Sequence, residues 1–265
     1  MLLPRHALPE PSPSTAGQTP AGQTLGNLLD HGLGAPLDRF ERFRHRCQTI
    51  EDPQTRAELD WMLDEEPMAF LSFAASTIAL HGTATPALIR DLVRAGYPEG
   101  TALSVALWWL CGLCPPQVLL DVGLPPWLHR LDEARLRAAR RRRERDDESV
   151  DSYLLEVELP GGPIGTLHAQ VDFGYNGAVV HGFAADQSIA ETMALFRAAT
   201  KWRRENGLDV TSVSPFRALG TDRAALLLSG PLRNTVAGDA PISLMSPWPG
   251  IRSLMLFFVI DCGVG

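Results

Sequence analysis

Leu167-His-Ala-Gln-Val-Asp-Phe-Gly-Tyr-Asn-Gly-Ala-Val-Val-His-Gly-Phe183 decides the fold of this chain. Apolar and polar residues alternate on both sides of Asn176-Gly177. Asn-Gly between two alternating runs is the strongest short-range hairpin signal, because a type I′ turn needs φ > 0 at both central positions. Counting outward from that dipeptide pairs Tyr175 with Ala178, Phe173 with Val180 and Asp172 with His181.

One strand further back, Tyr153, Leu155, Val157 and Leu159 alternate with Leu154, Glu156 and Glu158, until Pro160-Gly-Gly-Pro163 breaks the run. Alternate residues of a strand point to opposite faces, so the two apolar sets must share a face. A loop from Pro160 to Ile164 satisfies this, with Leu159 opposite Gly165, Val157 opposite Leu167 and Glu156 opposite His168. The expected unit is a three-stranded antiparallel meander, with Leu208 to Val213 as a possible fourth strand. Its second face carries Glu156, Glu158, His168, Gln170, Asp172 and His181.

That second face has two readings. Antiparallel sheets commonly leave one face in water, where acid–His pairs across strands stabilise modestly and do no chemistry. Alternatively, Glu156, His168, Asp172 and His181 form a candidate catalytic set. Two carboxylates orienting two imidazoles would suit general acid–base work or hold a divalent ion for metal-assisted hydrolysis. The discriminating feature is whether another element covers the face and excludes water.

After the meander, Ser188-x-x-Glu191 is a capping box and Gly207 a natural helix stop. Ile189, Met193, Phe196, Ala199 and Thr200 form the apolar stripe between them, which is expected to pack on the apolar face of the meander. Before the meander, Trp127 to about Glu148 reads as a long charged helix whose second half carries Arg140, Arg141, Arg142, Arg143 and Arg145, followed by Asp146-Asp-Glu148. Such a run is either a solvated face or a contact for an acidic or phosphate-bearing partner.

Residues 26–125 read as a helical region. Leu37, Phe40 and Phe43 have helical spacing, and further helices are expected over Arg56 to Leu63, Met68 to Leu80, Pro86 to Ala95 and 102–113. Two helices joined around Gly96 invite a helix-turn-helix reading, but Ala102-Leu-Ser-Val-Ala-Leu-Trp-Trp109 has no side chain suited to base edges, so sequence-specific nucleic-acid readout is not expected. Residues 1–25, with a tandem Ala-Gly-Gln-Thr, hold too little apolar surface to order and are expected to be disordered.

The organisation expected is therefore α+β: a disordered tail over 1–25, a helical region over 26–125, a charged connecting helix over 126–149, and a meander packed with helices over 150–265.

The chain has 265 residues, 45% of them hydrophobic, and a formal net charge of −7, which disfavours nonspecific nucleic-acid binding by the chain as a whole. Lys201 is the only lysine; with frequent Ala, Gly and Pro this points to a GC-rich bacterial genome. No secretory leader pattern opens the sequence, and no apolar stretch approaches the ~20 residues of a membrane span, so the cytoplasm is the expected compartment.

Cys111-Gly-Leu-Cys114-Pro115 resembles the Cys-Gly-x-Cys of thioredoxin-like redox proteins over five residues. The resemblance implies a reactive Cys111 thiol and a resolving Cys114; the alternative is two small apolar residues ending a buried helix. No second Cys pair or His-x(3–5)-His follows to make a zinc site, and no metal ligand is assigned. Asp172-Phe-Gly174 matches a kinase tripeptide, but the glycine-rich loop, strand lysine and His-Arg-Asp loop that would accompany it are missing.

The sequence thus favours a non-enzymatic intracellular binding or scaffold protein with a protein partner. A metal-assisted hydrolase or acid–base enzyme on the His/acid face stands second, and a thiol redox protein third. No cofactor is specified.

Overall fold

The structure, a computed structural model, describes residues 50–143, 149–174, 177–207, 214–234 and 248–261. The tail over 1–25, the spacing of Leu37, Phe40 and Phe43, Cys47, Arg145, Asn176, the possible strand Leu208 to Val213, and Cys262 lie outside the described residues.

Four helices open the described chain: α1 (Pro53–Glu65), α2 (Pro67–His81), α3 (Thr85–Ala95) and α4 (Pro98–Leu110). Asp52 starts α1 by accepting from the Gln54 and Thr55 amides, and proline stands at the first or second position of all four, where its missing N–H costs nothing. Gly96 ends α3 at φ 73°, a left-handed cap that lacks a Cβ penalty. Short helices α5 (Gln117–Leu120) and α6 (Pro126–His129) lead into the sheet.

Five strands follow: β1 (Arg135–Arg143), β2 (Val150–Glu158), β3 (Ile164–Asp172), β4 (Ala178–Ala185) and β5 (Arg217–Leu219). They pair antiparallel in the order β4-β3-β2-β1-β5. Helix α7 (Ile189–Glu205) lies between β4 and β5 in the chain, and α8 (Thr221–Asn234) and α9 (Trp248–Leu256) follow β5. The fold is α+β, as the sequence implies, with a sheet larger than the expected meander.

The charged segment is the main correction. Residues 135–143 form a strand, not part of a long helix. Arginine and alanine favour helices weakly, and tertiary pairing overrides that preference. β2 presents acids in register: Arg135 pairs opposite Glu158 and Arg143 opposite Asp151. Cross-strand opposite charges stabilise the ladder, while Ala139 is buried in the core.

The hairpin registers also differ from simple counting. Val157 meets Gly165 and Glu156 meets Thr166, because the turn begins at Leu159, whose N–H donates to the Pro163 carbonyl at 2.8 Å. This shift is two residues, so the faces are preserved. Around Asn176-Gly177 the connection is longer than two residues: Asp172 pairs with Ala178, and His181 pairs with Gln170 across a bulge. Asp172 starts the turn early, its Oδ1 accepting from Gly174 N at 2.8 Å and Ser149 Oγ at 3.1 Å.

One apolar cluster runs from the N-terminal helices into the sheet. Tyr153, Leu155, Val157, Leu167, Ala169, Val171 and Val179 make the buried sheet face, against which α2, α8 and α9 pack. Two glycines allow the close approach. A Cβ on Gly165 would sit 2.2 Å from Met68 Cγ of α2, and one on Gly250 of α9 would sit 2.0 Å from Ser76 Oγ of α2.

Helix α7 does form between its cap signals, with the Ser188–Glu191 box closed at its start. It does not pack on the apolar face, which α2, α8 and α9 already occupy. It lies over β2 and β3 on the opposite face, the one bearing the histidines.

Candidate functional site

The face under α7 is built from Leu154 of β2, Thr166, His168 and Gln170 of β3, and His181 and Phe183 of β4, which the register places side by side. His168 stacks on Phe183 with ring centroids 4.8 Å apart, meets His181 edge-on at 5.6 Å, and meets Phe196 of α7 at 6.0 Å. Phe196 in turn stacks on Phe216 at 6.1 Å, and the Arg142 guanidinium lies 4.7 Å from the centre of the Phe216 ring.

The face is therefore covered, not solvated. His168 is 7% exposed. Burial pushes its imidazole down to about 3, and the positive charge on Arg142 and the neighbouring His181 push the same way. Burial also lowers His181. Nδ1 of His168 is buried without a hydrogen-bond partner.

The two histidines come together as the sequence implies; the two carboxylates do not join them. Glu156 lies opposite Thr166, and its Oε2 accepts from Ile189 N at 2.9 Å, closing the N-terminus of α7. Asp172 is held in the β3–β4 turn. Neither acid orients an imidazole. Among the described residues no three His, Cys, Asp or Glu side chains are grouped so as to hold a metal ion. What remains is a neutral aromatic sandwich with a pair of imidazoles inside it.

The arginines divide between the two faces. Arg141 and Arg143 reach Asp151, which is wholly buried: Arg141 Nε donates to Oδ2 at 3.0 Å and Arg143 Nε to Oδ1 at 3.4 Å. The Tyr153 hydroxyl donates to the same carboxylate at 3.4 Å, and burial pushes that phenol up to about 12. Arg140 and Arg142 point to the α7 side. Arg135 pairs with Glu158 at 3.1 Å and Arg137 with Glu156 at 3.9 Å. Among the described residues no carboxylate pairs with Arg140 or with Arg217 of β5.

Cys111 caps the C-terminal end of α4, and both Cys111 and Cys114 are exposed free thiols. A reactive thiol of this motif is lowered at a helix N-terminus. Here the position is reversed and partial burial raises Cys111.

Two carboxylates that pattern reading passes over carry structural weight. Asp186, just after β4, accepts from Met68 N at 2.6 Å and Ala69 N at 3.0 Å, capping α2 from 118 residues away. Burial raises it to about 7 against the opposing pull of those two amides. No local signal marks it. Asp151 is different: once β1 is read as a strand, its place opposite Arg143 follows from the register.

Compared with known proteins, the chain matches no family model, no curated protein sequence and no solved structure. Among the described residues no helix is long and apolar enough to cross a membrane.

Proposed function

We propose that this chain is a non-enzymatic binding or scaffold protein that takes an acidic protein partner along the arginine-bearing edge formed by β1 and β5. The observation that carries the reading is that no carboxylate among the described residues pairs with Arg217 of β5 or with Arg140 of β1, which stand on neighbouring strands at this edge, one on each face of the sheet. Arg217 also stands directly opposite Arg141. Like charges facing across strands are unfavourable, so an acidic group laid over this edge would relieve a repulsion that Asp151 offsets only on the β2 side. Arg143 adds a third guanidinium, 58% exposed.

The acid–base reading has less support, because each acid of that set is engaged elsewhere and both imidazoles lie under α7. The thiol reading has less still, given the raised Cys111.

The test is co-purification from a bacterial lysate with wild type, an Arg140→Glu/Arg217→Glu variant and an Arg94→Glu control distant in sequence. A partner retained by wild type and control, released by rising salt and lost from the double variant is the expected result. Equal retention by all three chains overturns the reading, as does hydrolytic turnover by purified protein that disappears in His168→Ala.

A further inference from the structure

Helix α7 is the element that covers the imidazole face, and it is held unevenly. Its start is fixed by several bonds: Glu156 accepts from Ile189 N, Ser188 and Glu191 close the capping box, Thr166 Oγ1 donates to the Gln187 carbonyl, and Gln187 Nε2 donates to Thr192 Oγ1. The fully buried residues of the helix, Ile189 and Thr192, both lie in that first turn. Beyond it, Met193, Leu195, Phe196 and Ala199 are only half-buried. Phe196 seats this part, and it rests on His168 and Phe183.

The seat is therefore made partly of an imidazole whose burial disfavours the protonated form. A neutral histidine has one ring donor and one acceptor, and protonation makes both nitrogens donors. For His168 this would place an unpaired charge in an aromatic sandwich 5.6 Å from a second imidazole. Among the described residues no carboxylate pairs with His168. From β1 come the cations Arg140 and Arg142; from β2, Leu154 opposite and Glu156, whose Oε2 is taken by Ile189 N. From β3 come Gln170 and Asp172, the latter held by Gly174 and Ser149; from β4 comes His181 itself. On α7, Arg197 and Lys201 are exposed cations and Glu191 belongs to the capping box; Phe216 is apolar.

We infer that α7 is an acid-released cover: proton uptake by the His168–His181 pair frees the helix beyond its pinned first turn and exposes Leu154 and Phe183 on the sheet and Phe196 on the helix. The inference is independent of the partner edge proposed above. Since burial holds His168 at about 3 and a solvated imidazole titrates near 6.5, the ratio of released to seated helix rises about thirty-fold from pH 8 to pH 5 through this residue alone.

Hydrogen exchange on the full chain at pH 8, 6.5 and 5, corrected for intrinsic rates, tests this. Protection of residues 193–205 should fall about thirty-fold on acidification while α4 stays protected, and His168→Phe/His181→Phe should abolish the fall. Unchanged protection of 193–205 in wild type overturns the proposal, as does a loss shared with α4 or an equal loss in the double variant. Carbon-13 histidine spectra of wild type give a second reading should the double variant not fold. In the seated majority His168 must stay unprotonated well below the ordinary imidazole range, and titration near 6.5 while α7 keeps its protection overturns the proposal.

Discussion

The two faces of one sheet are held in different ways. On the first, Tyr153, Leu155, Val157, Leu167, Ala169 and Val171 are fully buried and three helices press on them. On the second, one helix covers Leu154, His168, His181 and Phe183, with its own deep contacts confined to Ile189 and Thr192. The same strands thus supply a face committed to stability and a face with titratable groups and a lightly held cover. Each face also receives a helix N-terminus pinned by a carboxylate from the sheet region: Asp186 on α2, Glu156 on α7.

The largest expected contrast is in pH dependence. His168 is lowered in the fold, so the stability it supports is present above its ordinary value of 6.5 and is lost as pH falls towards 3. Asp186 is raised, so its contribution is present below its ordinary 3.8 and is lost as pH rises through about 7. His168→Phe should flatten the acid limb of a urea-unfolding profile by several kcal/mol, and Asp186→Asn should flatten the loss between pH 4 and 7. If neither variant changes the profile, the contrast between the faces is not electrostatic.

Leu155→Ala should cost about 3 kcal/mol by chemical denaturation, since the site is walled by three helices and cannot collapse. A cost near that of an exposed site would mean the first face is less tightly packed than its burial implies. Asp151→Asn should cost about 2 kcal/mol: it leaves Arg141 and Arg143 without their anion, but both are exposed enough to regain water. Ser188→Ala should cost about 1 kcal/mol by loss of the cap. That loss should appear in hydrogen exchange of α7 before it appears in α2, and the reverse order would mean the helix is not separately held.

How far these features were legible in the sequence depended on how local their causes are. The capping box at Ser188 and Glu191, the stop at Gly207 and the alternation of β2 and β3 are contained in short windows, and each appears in the fold. His168 and His181 share a face as the alternation implies, but in the fold a bulge after Gln170 returns His181 to that face, since the register from Asp172 to Ala178 alone would turn it to the other. The arginine segment failed because its propensity is helical while its partners, Asp151, Glu156 and Glu158, lie in the next strand. The Asn176-Gly177 register failed because the Asp172 side chain opens the turn before the dipeptide is reached. The separation of Glu156 and Asp172 from the imidazoles followed from these registers and from the bond between Glu156 and the first amide of α7, 33 residues on, which no local pattern announces.

The bond between Asp186 and the first amides of α2 has a consequence for the order of events during synthesis. The chain leaves the ribosome N-terminus first, and α2 emerges 118 residues before the carboxylate that satisfies its first amides. Gly165, which Met68 needs for its seat, also comes late. Helix α2 must therefore wait, incompletely capped, until Asp186 beyond β4 has been made, and a nascent chain stalled before residue 186 should be markedly more open to proteolysis at α2 than the released protein.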